Sequence, residues 1–336
     1  METSKGIKVS PRDAERVKRI LREQNALLGS KKVKHKNGVV FPVNRLDFDL
    51  GGLSFEVVEE VFEDFKVSDE FERVLDKIGC PLSSYDVVGD LAVLEIPQGF
   101  ASYEKMMGEA LLRSRRHVKA VFKKSSAVES EERVRRFEWI AGEKRTETVH
   151  REHGCEFKVD IAKVFFSPRL SYERQRIKEQ VKDGETIVDM FAGVGPYSIV
   201  LAKQRDVKVL GYDINEHAIR YFKENIRINK VGDRVTAVHG DCRELAPKEA
   251  ADRAVMNLPK KAKEFFDAAL DIIKADGGVI HYYGAASRES PYEEEVNYIM
   301  ERVKERGKSA EITGKRVVRS YSPGEVHVAI DVKVVL

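Results

Sequence analysis

Metal-ligand spacing is missing from this sequence. Its 336 residues include three cysteines, Cys80, Cys155 and Cys242. They lie far apart, with no CxxC and no histidine at a zinc-binding interval, so no metal site is expected and free thiols in a reducing compartment are. Long apolar runs are missing as well. Nothing approaches the roughly 18 residues of a membrane-spanning helix, and the polar start Met1-Glu2-Thr3-Ser4-Lys5 is not that of a signal peptide. These absences predict a soluble, cytoplasmic protein with no membrane partner. Internal repeats and low-complexity stretches are absent too.

What remains is enough to build a sizeable core: 42% of the residues are hydrophobic, and the length suggests two or three structural units. The formal net charge of +3 conceals an uneven distribution. From Met1 to Leu46 there are twelve Lys or Arg against four Asp or Glu; from Asp47 to Lys77, three against eleven; from Leu112 to Arg145, eleven against five. One charged block is most often a solvated face. Two basic blocks joined to a chain whose remainder reads as a catalytic domain point to a polyanionic substrate.

In chain order, Ser10-Pro11 opens a basic amphipathic helix in which Val17, Ile20 and Leu21 share a face. Lys31 to Val43 reads as a hairpin turning at Asn37-Gly38. Residues 1–66 are thus expected to form a basic α+β module. An acidic helix from Ser68 to Gly79, two short strands around Gly89-Asp90, a helix over residues 102 to 113 and a strand from Val118 to Phe122 make a linking α+β domain over 67–150. A hairpin around Glu152-His153-Gly154 follows near the boundary with the third domain, 151–336. From Pro168 onward helices and strands alternate, which predicts a Rossmann-like, doubly wound, largely parallel sheet.

That sheet is organised around Thr186-Ile187-Val188-Asp189-Met190-Phe191-Ala192-Gly193-Val194-Gly195-Pro196-Tyr197-Ser198. A short apolar strand ends on Asp189, a turn with two glycines follows, and Pro196 suits the first position of a helix. Such a turn lets a ligand lie against backbone and faces it with free N–H groups, although a bare GxG is as often an ordinary turn. Later strand ends carry Asp213, Asp241 a little beyond its strand, and Asn257. Ligands of doubly wound sheets bind at such carboxyl ends, and an acid closing the second strand is placed to accept hydrogen bonds from ribose hydroxyls. A dinucleotide fingerprint would need a glycine where Ser198 stands. An adenosine-bearing ligand without a pyrophosphate fits better.

Asp189 to Pro196, Asp213-Ile214-Asn215, Gly240-Asp241-Cys242 and Asn257-Leu258-Pro259 resemble successive motifs of class I methyltransferases that use S-adenosylmethionine. More closely, the chain is similar to the archaeal and eukaryotic family that methylates N1 of guanosine 37, just 3' of the tRNA anticodon. Ser84 to Asp90, Arg133-Val134-Arg135, Ala141-Gly142-Glu143 and Asp160 to Leu170 add to that resemblance. It implies S-adenosylmethionine as cofactor and tRNA as partner. Within the turn Asp189, Phe191, Gly193, Gly195 and Pro196 would form one wall. Asp213 and Ile214 would hold the ribose and flank the adenine, Asp241 and Cys242 would bound the adenine edge, and Asn257 would lie beside the methyl-bearing sulfonium. Phe165, at a position the family also fills with Tyr, would pack near the cofactor, and Arg174 would help hold it. Read from its residue type alone, Cys242 is a small apolar wall.

Methyl transfer to N1 requires removal of its proton, and the resemblance nominates Glu173 as the base and Arg133 as the cation facing O6. By residue type alone, Glu173 could equally be an exposed first-turn residue and Arg133 one of a basic cluster. Asn257-Leu258-Pro259-Lys260 lacks the aromatic residue found in enzymes that methylate exocyclic amines, which favours a ring nitrogen. The expectation is a monomeric tRNA methyltransferase with no metal. Its rivals are a wyosine-pathway enzyme, acting on a tricyclic guanosine or transferring an aminocarboxypropyl group, and a non-catalytic RNA-binding protein.

Overall fold

The computed structural model describes residues 4–24, 26–27, 33–35, 38–60, 70–82, 84–125 and 136–335. Two compact units emerge, one of Met1–Pro81 with Glu109–Ser114, the other of Leu82–Gly108 with Arg115–Leu336.

The first unit holds β1 (Ser4–Val9), α1 (Ala14–Glu23), β2 (Val33–His35), β3 (Gly38–Pro42), β4 (Glu56–Glu60) and α2 (Glu70–Ile78). Its sheet runs β2-β3-β1-β4, antiparallel throughout. Val17 and Leu21 of α1 are buried with Ile7, Val9 and Phe41 in one core, as their spacing requires. The helix starts at Ala14 and not at Pro11, because Ser10 organises a turn first: its Oγ accepts from Arg12 N–H at 3.2 Å and its carbonyl from Asp13 N–H at 3.0 Å. The residues of the Asn37-Gly38 turn ahead of Gly38, and the first two residues of the expected acidic helix, lie outside the described residues. Strand β4 carried no sequence signal; Glu56, Val57 and Glu59 are exposed, so burial never imposed a clear alternation on it.

In the second unit, β5 (Asp86–Val88), β6 (Leu91–Leu94), β7 (Ala120–Lys124) and β8 (Phe137–Gly142) form a four-stranded sheet; α3 (Glu104–Ser114), between β6 and β7 in sequence, is divided, with Glu109–Ser114 counted in the first unit. The hairpin of β9 (Glu147–Glu152) and β10 (Cys155–Asp160) follows. Asn side chains complete its outer edge. On α6 (Glu216–Asn229), Asn225 accepts from Lys158 N–H at 2.7 Å and donates to Lys158 O at 3.1 Å, and Asn229 does the same with Glu156 at 2.9 and 2.7 Å. Two amides thus act as a surrogate strand and satisfy backbone groups that burial would otherwise leave costly.

The large sheet uses β11 (Thr186–Asp189), β12 (Lys208–Asp213), β13 (Val235–His239), β14 (Arg253–Met256), β15 (Gly278–Ser287), β16 (Ser309–Ser320) and β17 (Glu325–Val335) in the order β13-β12-β11-β14-β15-β17-β16. Five strands are parallel; β17 runs antiparallel between β15 and β16. Helices α4 (Ser171–Gln180), α5 (Pro196–Gln204), α7 (Cys242–Leu245), α8 (Ala262–Ile272) and α9 (Glu293–Glu305) complete the alternation. Strand order reverses at β11, flanked by β12 and β14, and the carboxyl ends there form the crevice in which such sheets bind ligands. No described helix is long and apolar enough to cross a membrane.

Candidate functional site

The turn after β11 is pinned by the acid at the end of β12. Gly193, at φ 56, donates its N–H to Asp213 Oδ2 at 2.7 Å, while Asn215 N–H donates to Oδ1 at 2.9 Å. Asn215 in turn caps α6, accepting from His217 and Ala218 N–H, and its Nδ2 donates to Lys163 O at 2.9 Å. That bond ties the segment bearing Phe165 to the same crevice. Gly195 sits at φ 86, and a Cβ there would fall 2.1 Å from the buried Phe222 ring, so a side chain is excluded where α5 begins against α6. Pro196 takes the first helical position.

A cavity of about 410 Å³ opens at these strand ends. Phe165, Phe191, Gly193, Asp213, Ile214, Asp241 and Cys242 line it, all of them named from the sequence. A Cβ placed on Gly193 would find only Phe165 O within 4 Å, at 3.6 Å, so the space over this glycine is open. One wall is aromatic: Phe191 and Phe265 meet edge to face at 4.9 Å and 85°. Arg243 lies over Phe265 with its guanidinium 4.3 Å from the ring centroid, and its Nε donates to both oxygens of Asp241. These bonds hold the Asp241 carboxyl below its usual range, keeping it an acceptor at neutral pH. Burial pushes the Cys242 thiol up to about 12, so it is a neutral wall. The set fits an adenosine moiety: two acids as acceptors for hydroxyl and amino groups, apolar faces for the base, and open backbone at the glycine.

Other expected residues lie elsewhere. Asp189 is fully buried beneath the turn, accepting from Ser198 Oγ at 2.8 Å, and does not line the cavity. Neither do Gly195 and Pro196, which shape the turn. Asn257 directly follows β14, and its neighbour Leu258 is the lining residue. Arg174 is buried and makes a two-pronged ion pair with Glu152 at 2.5 and 2.7 Å, with its Nη2 also donating to Ser167 O. Its guanidinium is thus engaged by Glu152 and Ser167, and Arg174 is not among the cavity-lining residues. Arg133 lies outside the described residues.

Glu173, in the first turn of α4, is 1% exposed. Its Oε2 accepts from Arg176 Nε at 2.9 Å and from Tyr283 OH at 3.0 Å. Its Oε1 faces Arg316 Nε at 3.1 Å without hydrogen-bond alignment, and has no hydrogen-bond partner among the described residues. Glu173 is thus a buried residue held between Arg176 and Arg316 and not a solvated first-turn one, and it is not among the residues that line the cavity. Arg176 could have been inferred from its place three residues on along the helix. Tyr283 and Arg316 could not, nor could the cavity residues Lys261, Glu264 and Phe265, which reach their places only through the sheet. Among the described residues no group of three or more His, Cys, Asp or Glu could hold a metal ion.

Comparison with known proteins agrees with this geometry. Residues 148–313 match the model of the TRM5/TYW2 methyltransferase domain, and residues 61–146 match that of the TYW2 N-terminal domain. The chain is 42% identical over 334 residues to the tRNA (guanine(37)-N(1))-methyltransferase Trm5b of Pyrococcus abyssi, covering 98% of each. The crystal structure of that organism's Trm5b aligns over 99% of this chain and 100% of its own with a TM-score of 0.74 and 41% identity. A solved complex of aTrm5 with tRNALeu aligns over 98% of this chain and 99% of its own at a TM-score of 0.71 and 37% identity. With a match of this extent at both levels, the chain belongs to the TRM5/TYW2 methyltransferase family.

Proposed function

We propose that this protein methylates N1 of guanosine 37, beside the tRNA anticodon, using S-adenosylmethionine. The observation that carries the reading is the similarity to Trm5b over 98% of the chain. The cofactor supplies an electrophilic methyl group on a sulfonium centre. Asp213 and Ile214 hold the ribose and flank the adenine; Asp241 and Cys242 bound the adenine edge; Phe165 and Phe191 contribute apolar walls. Gly193, Gly195, Pro196 and Asp189 shape the turn against which the ligand lies, and Arg174 supports it by packing. Glu173 accepts the N1 proton, Arg133 donates to O6 as negative charge develops there, and Asn257 lies beside the reacting centre. A positioned base contributes roughly 10²- to 10⁴-fold. A sulfonium leaving group departs as a neutral thioether, so the displacement calls for no metal.

The target base must leave its stack to reach a pocket, and in an anticodon loop this costs less than in a duplex. The basic module of residues 1–66 and the basic stretch 113–145 grip the tRNA backbone, with 67–150 as the link to the catalytic part. The enzyme works as a cytoplasmic monomer. A wyosine-pathway transferase of the same family is disfavoured by Asn257-Leu258-Pro259 and by the long N-terminal module.

Labelled S-adenosylmethionine with an unmodified transcript carrying G37, and a second carrying A37, tests the reading. Label is expected in the first alone. No incorporation, or equal incorporation into both, would refute it.

A further inference from the structure

The environment of Glu173 divides its two oxygens. Oε2 is held by two donors, Tyr283 OH at 3.0 Å and Arg176 Nε at 2.9 Å. Behind Tyr283 stands a second phenol: Tyr197 OH donates to Tyr283 OH at 3.2 Å, and both rings are buried. Burial raises the Tyr283 phenol well above its usual range, so it stays a neutral donor. Behind Arg176 stands Asp331, which receives both Nη groups of the guanidinium.

Asp331 is itself fixed. His281 Nδ1 lies 2.6 Å from its Oδ1, and Arg253 Nη1 lies 2.9 Å from His281 Nε2. Arginine can only donate, so Nε2 accepts and Nδ1 carries the proton toward Asp331. Burial lowers the His281 pKa, consistent with this neutral tautomer. The chain of partners therefore ends in fixed protonation states, and its effect is on placement. Before Oε1, among the described residues, stands Arg316, a residue of β16 whose side chain is 36% exposed and lies over the exposed Tyr172 ring at 4.6 Å.

We propose that Tyr283, backed by Tyr197, is a positioning residue for the methyl transfer: with Arg176 it fixes Oε2 of Glu173 and leaves Oε1 as the atom that takes the guanine N1 proton. The inference rests on Glu173 being the base. The groups facing that carboxylate are Arg176 from α4, Tyr283 from β15 and Arg316 from β16. Tyr197 from α5 and Asp331 from β17 stand one step behind, and His327 from β17 lies beside the Tyr283 ring at 5.4 Å.

Single-turnover rates against pH on the G37 transcript decide the matter, with equilibrium binding of S-adenosylmethionine measured on each variant. Tyr283→Phe removes a donor to the charged carboxylate and so disfavours that form. The acid limb of the rate profile is expected to move to higher pH by about one unit, with cofactor affinity unchanged. Pairing it with Tyr197→Phe avoids stranding the second hydroxyl and should give the same shift, whereas Tyr197→Phe alone should leave the limb in place. Glu173→Gln should be slow at every pH. If Glu173→Gln is slow but the Tyr283 variants keep the wild-type limb, the positioning inference is wrong while the base stands. If Glu173→Gln keeps the wild-type rate, the base assignment fails and the inference with it.

Discussion

Two glycines two positions apart in the same turn serve different ends. At Gly195 the φ of 86 and the approach of Phe222 to 2.1 Å leave no room for a methyl group. Gly195→Ala should lower stability by about 1–3 kcal/mol, seen as a reduced urea midpoint. At Gly193 the backbone is also left-handed, at φ 56, yet the nearest atom to an added Cβ is 3.6 Å away. Gly193→Ala should cost only about 1 kcal/mol of stability, but both Gly193 and Phe165 line the cavity, so cofactor affinity should fall by about tenfold or more in calorimetry. Equal effects on both readouts at both positions would contradict this division. Asp189, under the turn, gives a prediction in pH. Burial raises its carboxyl from 3.8 to about 7. Between those values the unfolded chain has released a proton that the folded chain retains, so this group's contribution makes stability fall as pH rises from about 4 to 7. Asp189→Asn should flatten that part of the profile, measured as urea midpoints from pH 4 to 8; an unchanged slope would show that Asp189 ionises normally.

At the scale of elements, what the sequence disclosed followed from local period and capping. The alternation of helices and strands from Pro168 onward was legible, and α6 (Glu216–Asn229), capped by Asn215, is one of its helices. The cavity-lining Asp213 and Asp241 were legible because strand ends in doubly wound sheets have a fixed place in sequence. The burial of Glu173 and Arg174 was not, since their partners Tyr283 and Glu152 lie 110 and 22 residues away and nothing in the local pattern announces them. The edge-satisfying role of Asn225 and Asn229 was equally hidden, as polar residues on a helix normally face solvent. Asn225 is fully buried and also donates to Val194 O within the glycine turn, at 3.1 Å. Asn225→Leu would strand the N–H and C=O of Lys158 together with that carbonyl. Chemical denaturation should show a loss of about 2–4 kcal/mol, whereas Asn215→Ala, which removes a cap, should lose about 1 kcal/mol. The reverse ranking would mean that the hairpin edge finds water as readily as amide.

For the molecule as a whole, basic charge comes in separate stretches of the chain, and the N-terminal stretch is far in sequence from the residues of the cofactor cavity, so two binding energies can be measured independently. The cofactor cavity is lined by apolar residues together with Asp213, Asp241, Glu264, Arg243 and Lys261, all of the second unit. The first unit carries α1, on which Arg16 and Arg19 are exposed while Val17 and Leu21 face the core. If this face meets tRNA phosphates, neutralising it should weaken tRNA binding through released counterions and leave the cofactor untouched. The double variant Arg16→Ala, Arg19→Ala is expected to bind tRNA several-fold more weakly near 100 mM salt (an order-of-magnitude figure for two lost phosphate contacts), and to reduce the slope of log affinity against log salt by about 2. Its affinity for S-adenosylmethionine should be that of the wild type. Lys248→Ala, an exposed change on the catalytic unit at a residue paired with Asp271, serves as the control and should alter neither quantity. A double variant with an unchanged slope would remove α1 from the tRNA interface. A parallel loss of cofactor affinity would instead show that the basic face stabilises the catalytic unit, because a phosphate contact has no means of changing cofactor binding in the absence of tRNA.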